Sequence, residues 1–114
     1  MVKRYVPKRG GVVWLDFTPQ SGHEQAGRRP ALVVSPEAYN AKLGLLLCCP
    51  ITNQVKGYPF EVVLRGTNKL SGVVLADQVK SLDWVARKAE FKGRAHPEVL
   101  TETVGKFKSL VDIE

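Results

Sequence analysis

The chain alternates short apolar runs with segments that contain glycine, proline and charged residues. Runs rich in β-branched and aromatic residues, bounded by such breakers, are typical of β-strands. On this basis we predict strands at residues 11–17, 31–35, 44–52, 60–64, 73–79 and 84–91. The run at 44–52 is apolar at nearly every position, which is typical of a central strand buried on both faces.

Two helices are predicted in addition to these strands. Ser35 followed by Pro36 is typical of a helix start, and this helix must be short because Gly44 follows closely. A second helix is predicted at 97–112, with His96 in the capping position. Its apolar residues are spaced by 4, 3 and 4, which places one stripe along the helix: Leu100, Val104, Phe107 and Val111. Val99 and Leu110 broaden this stripe.

The order of these elements predicts a mainly β (α+β) fold, a small and partly open β-barrel of about five to seven strands. The 114 residues are expected to form a single domain, 1–114. The segment at about 18–29 is polar and long for a connection in so small a domain. We therefore expect it to be a mobile loop that carries function.

The composition narrows the class of protein. With 44% apolar residues, a chain of this length can build a core without disulfides or a structural metal. It has no apolar run of the ~20 residues that a membrane helix needs and no signal peptide, so we expect a cytoplasmic protein with no membrane association. The adjacent Cys48 and Cys49 are expected to be buried apolar residues, and no spacing typical of a zinc site occurs.

The charge of the chain gives a first indication of a partner. Seventeen Lys and Arg against 11 Asp and Glu give a formal net charge of +6. The basic residues cluster in the first nine positions, at 28–29 and between 80 and 94. Clustering of this kind favours a nucleic acid or another acidic partner, but a solvated basic surface explains the charge equally well.

Several polar segments lie next to the predicted strands, and each alone has a plain structural explanation. In chain order they are Val-Trp-Leu-Asp-Phe at 13–17, Glu-Gln-Ala-Gly-Arg-Arg-Pro at 24–30, Cys-Pro-Ile-Thr at 49–52, Lys-Gly-Tyr-Pro-Phe-Glu-Val at 56–62 and Leu-Ala-Asp-Gln-Val-Lys-Ser at 75–81. Taken together, the sequence closely resembles the MazF/PemK family, the toxins of bacterial toxin–antitoxin pairs, over residues 1–92.

This resemblance implies an SH3-like barrel that works as a homodimer. It implies a sequence-specific endoribonuclease that cleaves single-stranded RNA, chiefly mRNA, without a metal or other cofactor, and so inhibits translation and growth. The 2′-hydroxyl would attack the neighbouring phosphorus and leave 2′,3′-cyclic phosphate and 5′-hydroxyl ends. A cognate antitoxin would silence the enzyme by laying an extended acidic segment over its RNA groove.

The resemblance also implies catalytic residues. The family's essential arginine, which precedes Pro-Ala, corresponds to Arg29, whose planar guanidinium suits phosphate oxygens and stays charged at neutral pH. The family's Ser/Thr at the strand end corresponds to Thr52, whose hydroxyl can donate to a phosphate oxygen. Glu24 matches the family's loop segment and is a candidate base, although an ion pair with Arg28 or Arg29 explains it equally well. The general base and acid therefore stay unassigned.

Recognition of single-stranded RNA requires groups that stack on bases, read base edges or meet phosphates. The candidates are Gln25, Arg28, Asn53, Gln54, Lys56, Tyr58, Asp77, Gln78, Lys80 and Arg87. Some relatives carry an arginine at the position of Leu75, so in that segment only Asp77 is carried over from the family pattern.

Two other functions use the same fold. A CcdB-like toxin binds DNA gyrase without catalysis and depends on a tryptophan near its C-terminus, whereas this chain ends Ser-Leu-Val-Asp-Ile-Glu. A non-catalytic RNA-binding module is the other alternative, and the occurrence of both Arg29 and Thr52 argues against it.

Overall fold

The computed structural model describes residues 5–17, 27–67 and 70–113. The elements are β1 (Gly11–Asp16), β2 (Arg28–Val33), α1 (Glu37–Leu43), β3 (Leu45–Thr52), β4 (Glu61–Val63), β5 (Val73–Leu75), β6 (Lys80–Asp83), β7 (Glu90–Arg94) and α2 (Pro97–Val111). The predicted mainly β fold with a short helix and a C-terminal helix is confirmed. Neither of the helices in these residues is long and apolar enough to cross a membrane.

The strands form one antiparallel sheet in the order β4-β5-β3-β2-β1-β7, with β6 paired to β3 off this path. Strand β3 joins the two parts of the sheet, because its first half pairs with β6 and its last two residues pair with β5. Since β2 and β3 are antiparallel, the start of β2 lies beside the end of β3. The topology therefore brings together segments that are far apart in sequence.

The central strands are buried on both faces. Leu32 and Cys49 belong to one interior cluster, whereas Val33 and Cys48 belong to a second cluster on the other face. Side chains alternate between faces along a strand, so neighbouring cysteines enter different clusters. Burial raises the pKa of both thiols to about 12. The prediction that the two cysteines are buried apolar residues is confirmed.

The predicted strand at 73–79 is confirmed over Val73–Leu75 and wrong beyond it, because the chain turns in its middle. Strand β5 ends at Leu75, and the amide of Gln78 donates to the Leu75 carbonyl at 3.1 Å. This hydrogen bond closes a turn through Ala76 and Asp77, after which β6 begins. Aspartate is favoured in turns, and here it interrupts an otherwise apolar run.

The predicted strand at 84–91 is also wrong. The carboxylate of Asp83 accepts from the amide of Ala86 at 2.9 Å, which starts a turn instead of a strand. The turn continues to Lys88, a non-glycine residue with a φ of +54°. Strand β7 follows at Glu90–Arg94 and pairs with β1.

One of the two expectations about the ends of α1 needs correction. The Ser35 hydroxyl does not cap the helix, because it donates to Asn40 Oδ1 at 2.6 Å and accepts from the Leu47 amide at 2.9 Å. The fully buried Asn40 in turn donates to the carbonyls of Pro7 and Ser35. As expected, Gly44 ends the helix in the left-handed conformation, with φ of +68°.

Helix α2 begins as expected, and only part of its predicted apolar stripe packs on the sheet. His96 caps it, since its Nδ1 accepts from the amide two residues later at 3.2 Å. Val99 and Thr103 form the buried face, next to β4. In the stripe marked by the apolar spacing, Val104 is 40% exposed and Val111 is 55% exposed. The start of the stripe does pack on the core, since Val99 is fully buried and Leu100 contacts the same cluster. The stripe is therefore covered at its start and exposed at Val104 and Val111.

The predicted mobile loop at 18–29 is shorter at its end than expected. Arg28 and Arg29 belong to β2 and pair with β1. Residues 18–26 lie outside the described part of the chain.

Candidate functional site

A groove of about 270 Å³ lies where the start of β2, the end of β3, the segment 53–60 and the β5–β6 turn meet. Seven of the residues predicted from the sequence line it: Arg29, Thr52, Gln54, Lys56, Tyr58, Gln78 and Lys80. Apolar side chains complete its wall: Phe17, Pro50, Ile51 and Leu75. The groove thus contains residues from all five segments that carry the family resemblance, and Phe17 is the contribution of the segment 13–17.

Arg29 provides an unsatisfied donor in this groove. It is the second residue of β2 and pairs with Leu15 of β1. Its Nε atom is buried and hydrogen-bonds to no described residue. A buried donor without a partner costs about 1–3 kcal/mol, and such groups are rare in folded proteins. The Arg29 guanidinium is therefore suited to a ligand that accepts hydrogen bonds.

A second cavity, of about 420 Å³, lies on the other side of Arg29 and Thr52. Asn53 and Ser71 line it, and the Ser71 hydroxyl donates to Asn53 Oδ1 at 3.2 Å. Arg29, Ile51 and Thr52 line both cavities, so the two cavities adjoin at these three residues. An extended ligand that occupies both cavities has to pass these three residues.

The hydroxyl of Thr52 stands at the end of β3 with its own proton available. Its Oγ1 accepts from the amide of Gln54 at 3.1 Å, which fixes the oxygen and leaves the O–H free to donate. The backbone of Gly72 packs closely against the same residue, since a Cβ at Gly72 would lie 2.3 Å from the Thr52 carbonyl oxygen. Only glycine fits there, so Gly72 helps to set the position of Thr52.

Tyr58 is held by Asp77 across the groove entrance. Its hydroxyl donates to Asp77 Oδ1 at 2.5 Å, and its ring lies 6.3 Å from that of Phe60. Loss of solvent, together with the hydrogen bond and charge of Asp77, raises the pKa of the Tyr58 phenol to about 12. The phenol therefore stays protonated near neutral pH, and its ring is a fixed surface for stacking. Asp77 supports Tyr58 and does not itself line the groove.

Phe17 is a groove residue that sequence reasoning missed. It is 7% exposed, and Lys80 Nζ lies 5.9 Å from the centre of its ring. The contact places the ammonium on the apolar wall of the groove. In sequence, Phe17 continues the apolar pattern of β1, so nothing distinguishes it from a core residue.

Two arginines predicted to bind RNA have partners outside the groove. Arg28 donates to the carbonyls of Trp14, Arg87 and Lys88 at 3.1, 3.3 and 2.8 Å, and to the carboxylate of Glu90 at 3.2 Å. Arg87 donates to the carbonyl of Asp16 at 2.9 Å. These contacts join the end of β1 to the turn before β7. Arg28 reaches the second cavity only, and Arg87 lines neither cavity.

Two further candidates, Glu24 and Gln25, lie outside the described residues. Their roles as catalytic base and RNA contact stay predictions.

Glu61 lines the groove and was not predicted. The signal for it in the sequence is weak, because it is the first residue of a three-residue strand.

Comparison with known proteins gives a consistent result. Residues 8–111 match the family described as PemK-like, MazF-like toxin of type II toxin–antitoxin system. The chain is 55% identical to the endoribonuclease toxin MazF of Escherichia coli K12 over 111 residues, which is 97% of this chain and 99% of that protein. It is 41% identical to the endoribonuclease toxin ChpB of the same organism, over 98% of this chain and 100% of that protein.

Solved structures agree with these sequence matches. The crystal structure of MazF from Deinococcus radiodurans superposes with a TM-score of 0.89 at 56% identity, covering 96% of this chain and 100% of that one. A MazE–MazF crystal structure from the same organism gives a TM-score of 0.88 at 56% identity, with 97% and 100% coverage.

Proposed function

Because this chain belongs to the family of PemK-like, MazF-like toxins of type II toxin–antitoxin systems, we propose that it is an endoribonuclease whose active centre is the groove at Arg29 and Thr52. One observation carries this proposal: Arg29 places a buried donor, which has no partner among the described residues, between two cavities and close to Thr52. A phosphodiester that lies where the two cavities adjoin meets both residues, while its two nucleosides enter the cavities on either side.

The proposed substrate is single-stranded RNA, chiefly mRNA in the cytoplasm. The groove offers the Tyr58 ring for a base and two lysines, Lys56 and Lys80, for phosphates. The curated relatives at 55% and 41% identity are named endoribonucleases, which supports RNA cleavage over the gyrase-binding alternative. The two catalytic positions, Arg29 and Thr52, also favour an enzyme over a module that only binds RNA.

The proposed reaction needs no metal, because the nucleophile is part of the substrate. The 2′-oxygen gives its proton to a base and bonds to phosphorus, while the bond from phosphorus to the 5′-oxygen breaks and that oxygen takes a proton. Arg29 stabilises the negative charge that grows on the phosphate oxygens, and Thr52 donates a hydrogen bond to one of them. Glu24 is the candidate base in this proposal.

Cleavage in the presence of EDTA tests the proposed reaction. We expect the purified protein to cut a long single-stranded RNA at a small set of sites, which primer extension maps. The new 5′ ends should be hydroxyls that polynucleotide kinase labels without prior dephosphorylation. Activity that disappears in chelator, or products with 5′-phosphates, would contradict the mechanism.

We also propose that the chain forms a homodimer through α2. The helix leaves the outer part of its apolar stripe uncovered, with Val104 at 40% and Val111 at 55% exposure. Exposed apolar faces on small proteins mark sites of association.

A charge placed in this stripe should break the dimer. We expect Val104→Asp to raise the dissociation constant of the dimer at least about 100-fold, because an unpaired carboxylate would be buried in the interface. Val85→Asp is the matched control, since Val85 is 53% exposed in the turn before β7. Sedimentation velocity over a concentration series measures both. Equal association of the two variants would exclude α2 as the interface.

The proposed regulator is a cognate antitoxin. MazE–MazF complexes of Deinococcus radiodurans have been crystallised. For this chain we propose that an extended acidic segment of the antitoxin lies in the groove and competes with RNA for Lys56 and Lys80. The net charge of +6 suits both ligands.

A further inference from the structure

The segment 53–60 carries three groove residues without regular secondary structure. Gln54, Lys56 and Tyr58 all lie on it, and residues 54–58 belong to neither helix nor strand. An exposed irregular segment moves easily unless its backbone is tied to the rest of the fold. The position of these side chains therefore depends on what holds the backbone.

The carboxylate of Glu61 holds the middle of this segment. Its Oε2 accepts from the amide of Lys56, and its Oε1 accepts from the amide of Gly57, both at 2.8 Å. Gly57 has φ of +81°, a conformation that other residues adopt only with strain. One side chain thus satisfies two consecutive amides with charge-assisted hydrogen bonds, which are stronger than neutral ones.

The end of the segment is tied to the fold as well. The amide of Glu61 donates to the carbonyl of Tyr58 at 3.2 Å, and the amide of Ala76 donates to that of Phe60 at 2.9 Å. From α2, Lys106 Nζ donates to the carbonyl of Pro59. At the start of the segment, the amide of Gln54 donates to Thr52 Oγ1 at 3.1 Å. With both ends fixed, the two bonds to the Glu61 carboxylate set the backbone from which Lys56 and Tyr58 enter the groove.

We propose that Glu61 is a positioning residue for RNA binding: it fixes the backbone at Lys56 and Gly57 and so sets where the Lys56 ammonium and the Tyr58 ring meet the substrate. The proposal rests on the proposed function of the groove. Glu61 neither transfers a proton nor contacts the scissile phosphate in this role. Its replacement should therefore change KM more than kcat, because Arg29 and Thr52 lie on other strands.

The sign of the effect separates this role from simple electrostatics. Glu61 is an acid in the lining of a groove that binds a polyanion. If its charge were all that mattered, Glu61→Gln would strengthen RNA binding. If it positions Lys56 and Tyr58, the same substitution weakens binding, because the amide NH₂ of glutamine meets a backbone N–H where the carboxylate accepted one.

The test measures kcat and KM on a short single-stranded RNA that contains the mapped cleavage site. We expect Glu61→Gln to raise KM about 3- to 10-fold, with Glu61→Ala at or above that range, the loss typical of one net hydrogen bond. We expect kcat to stay within about twofold of wild type, since the groups at the scissile phosphate are untouched. Glu37→Gln, an exposed acid at the start of α1, is the control for losing one negative charge and should not raise KM.

The salt dependence of KM gives a second readout. Lys56→Ala should reduce the slope of log KM against log salt by about 0.7, the value for one phosphate contact on a single strand. Glu61→Ala should reduce the slope by a similar amount, and the double variant should lose little more than either single one. Additive effects in the double variant would overturn the proposed link between Glu61 and Lys56.

Two further kinetic results would overturn the positioning role of Glu61. A KM for Glu61→Gln that is unchanged or lower, in protein that melts like wild type, would overturn the positioning role. So would a loss confined to kcat. If Glu61→Ala does not fold, Glu61→Gln still provides the kinetic test. Hydrogen exchange provides a second one, because the amide protons of Lys56 and Gly57 should exchange more slowly in wild type than in Glu61→Gln. A wild-type protein that cleaves no RNA contradicts the proposed function instead, which keeps the two failures distinct.

Discussion

Replacing Arg29 by alanine should lower kcat for RNA cleavage by a factor of about 10²–10³, the loss seen when one preorganised donor to a developing negative charge is removed. The folded protein should persist, because Arg29 Nε hydrogen-bonds to no described residue and its loss frees no described partner. Single-turnover cleavage with the enzyme in excess measures the effect, and a thermal melt checks the fold.

Two other variants sharpen this result. Arg29→Lys keeps the positive charge but loses the planar fork, so its rate should lie between those of wild type and Arg29→Ala. Arg65→Ala removes one positive charge from an exposed ion pair with Glu98, and should cleave at nearly the wild-type rate. If Arg29→Ala were as active as Arg65→Ala, the groove would not be the catalytic centre.

The largest effect on stability is expected at Asn40. Asn40→Ala should lower the free energy of unfolding by about 3 kcal/mol, because it leaves without a partner the buried polar groups that bond to the Asn40 side chain in wild type. The side chain is fully buried and bonds to the Ser35 hydroxyl and to the carbonyls of Pro7 and Ser35. For a chain of this size, the loss corresponds to a fall in Tm of roughly 10 °C.

Asn53→Ala is the matched control for Asn40. Asn53 is exposed and its side chain makes one hydrogen bond, to Ser71. Its replacement should change the free energy of unfolding by no more than about 0.5 kcal/mol. Melts at one fixed protein concentration compare the two, because association shifts the apparent Tm. Equal Tm values would show that the Asn40 network does not stabilise the fold.

Local patterns were enough to predict the central strands. The first three predicted strands overlap β1, β2 and β3, because β-branched runs between breakers depend on neighbouring residues only. The two errors at 73–79 and 84–91 arose where a side chain redirects the backbone. Asp83 bonds to the amide three residues later, and Asp77 sits in a turn while its carboxylate binds Tyr58, 19 residues away.

The orientation of α2 could not be predicted from its spacing. Val99 and Leu100 are adjacent and both apolar, so the helix has two candidate faces. The choice is made by packing against β4, which buries Val99 and Thr103. The apolar spacing marked a real stripe, but it does not say whether that stripe meets the sheet or another molecule.

The residues of the groove could be predicted because family motifs mark them. The contacts that hold these residues in place could not be predicted. Of adjacent arginines, Arg29 lines the groove and Arg28 binds backbone carbonyls near residue 87. The family pattern marks Arg29 by the Pro-Ala that follows it, but no local signal predicts the contacts of Arg28, which depend on strand alternation and on the pairing of β1 with β7. Glu61 was missed for the same reason, because its partners are amides without a sequence signature.

The hydrogen bonds from Arg28 to the turn before β7 affect how the protein folds during its own synthesis. Arg28 reaches carbonyls 59 and 60 residues further along the chain, and β1 also pairs with β7. A nascent chain that ends before Arg87 has neither contact. We therefore expect the ribosome-bound chain to lack a fixed start of β2, and with it a formed groove, until β7 has left the exit tunnel. An enzyme that cleaves messages would thus be delayed from acting on the message that encodes it until its translation is nearly complete.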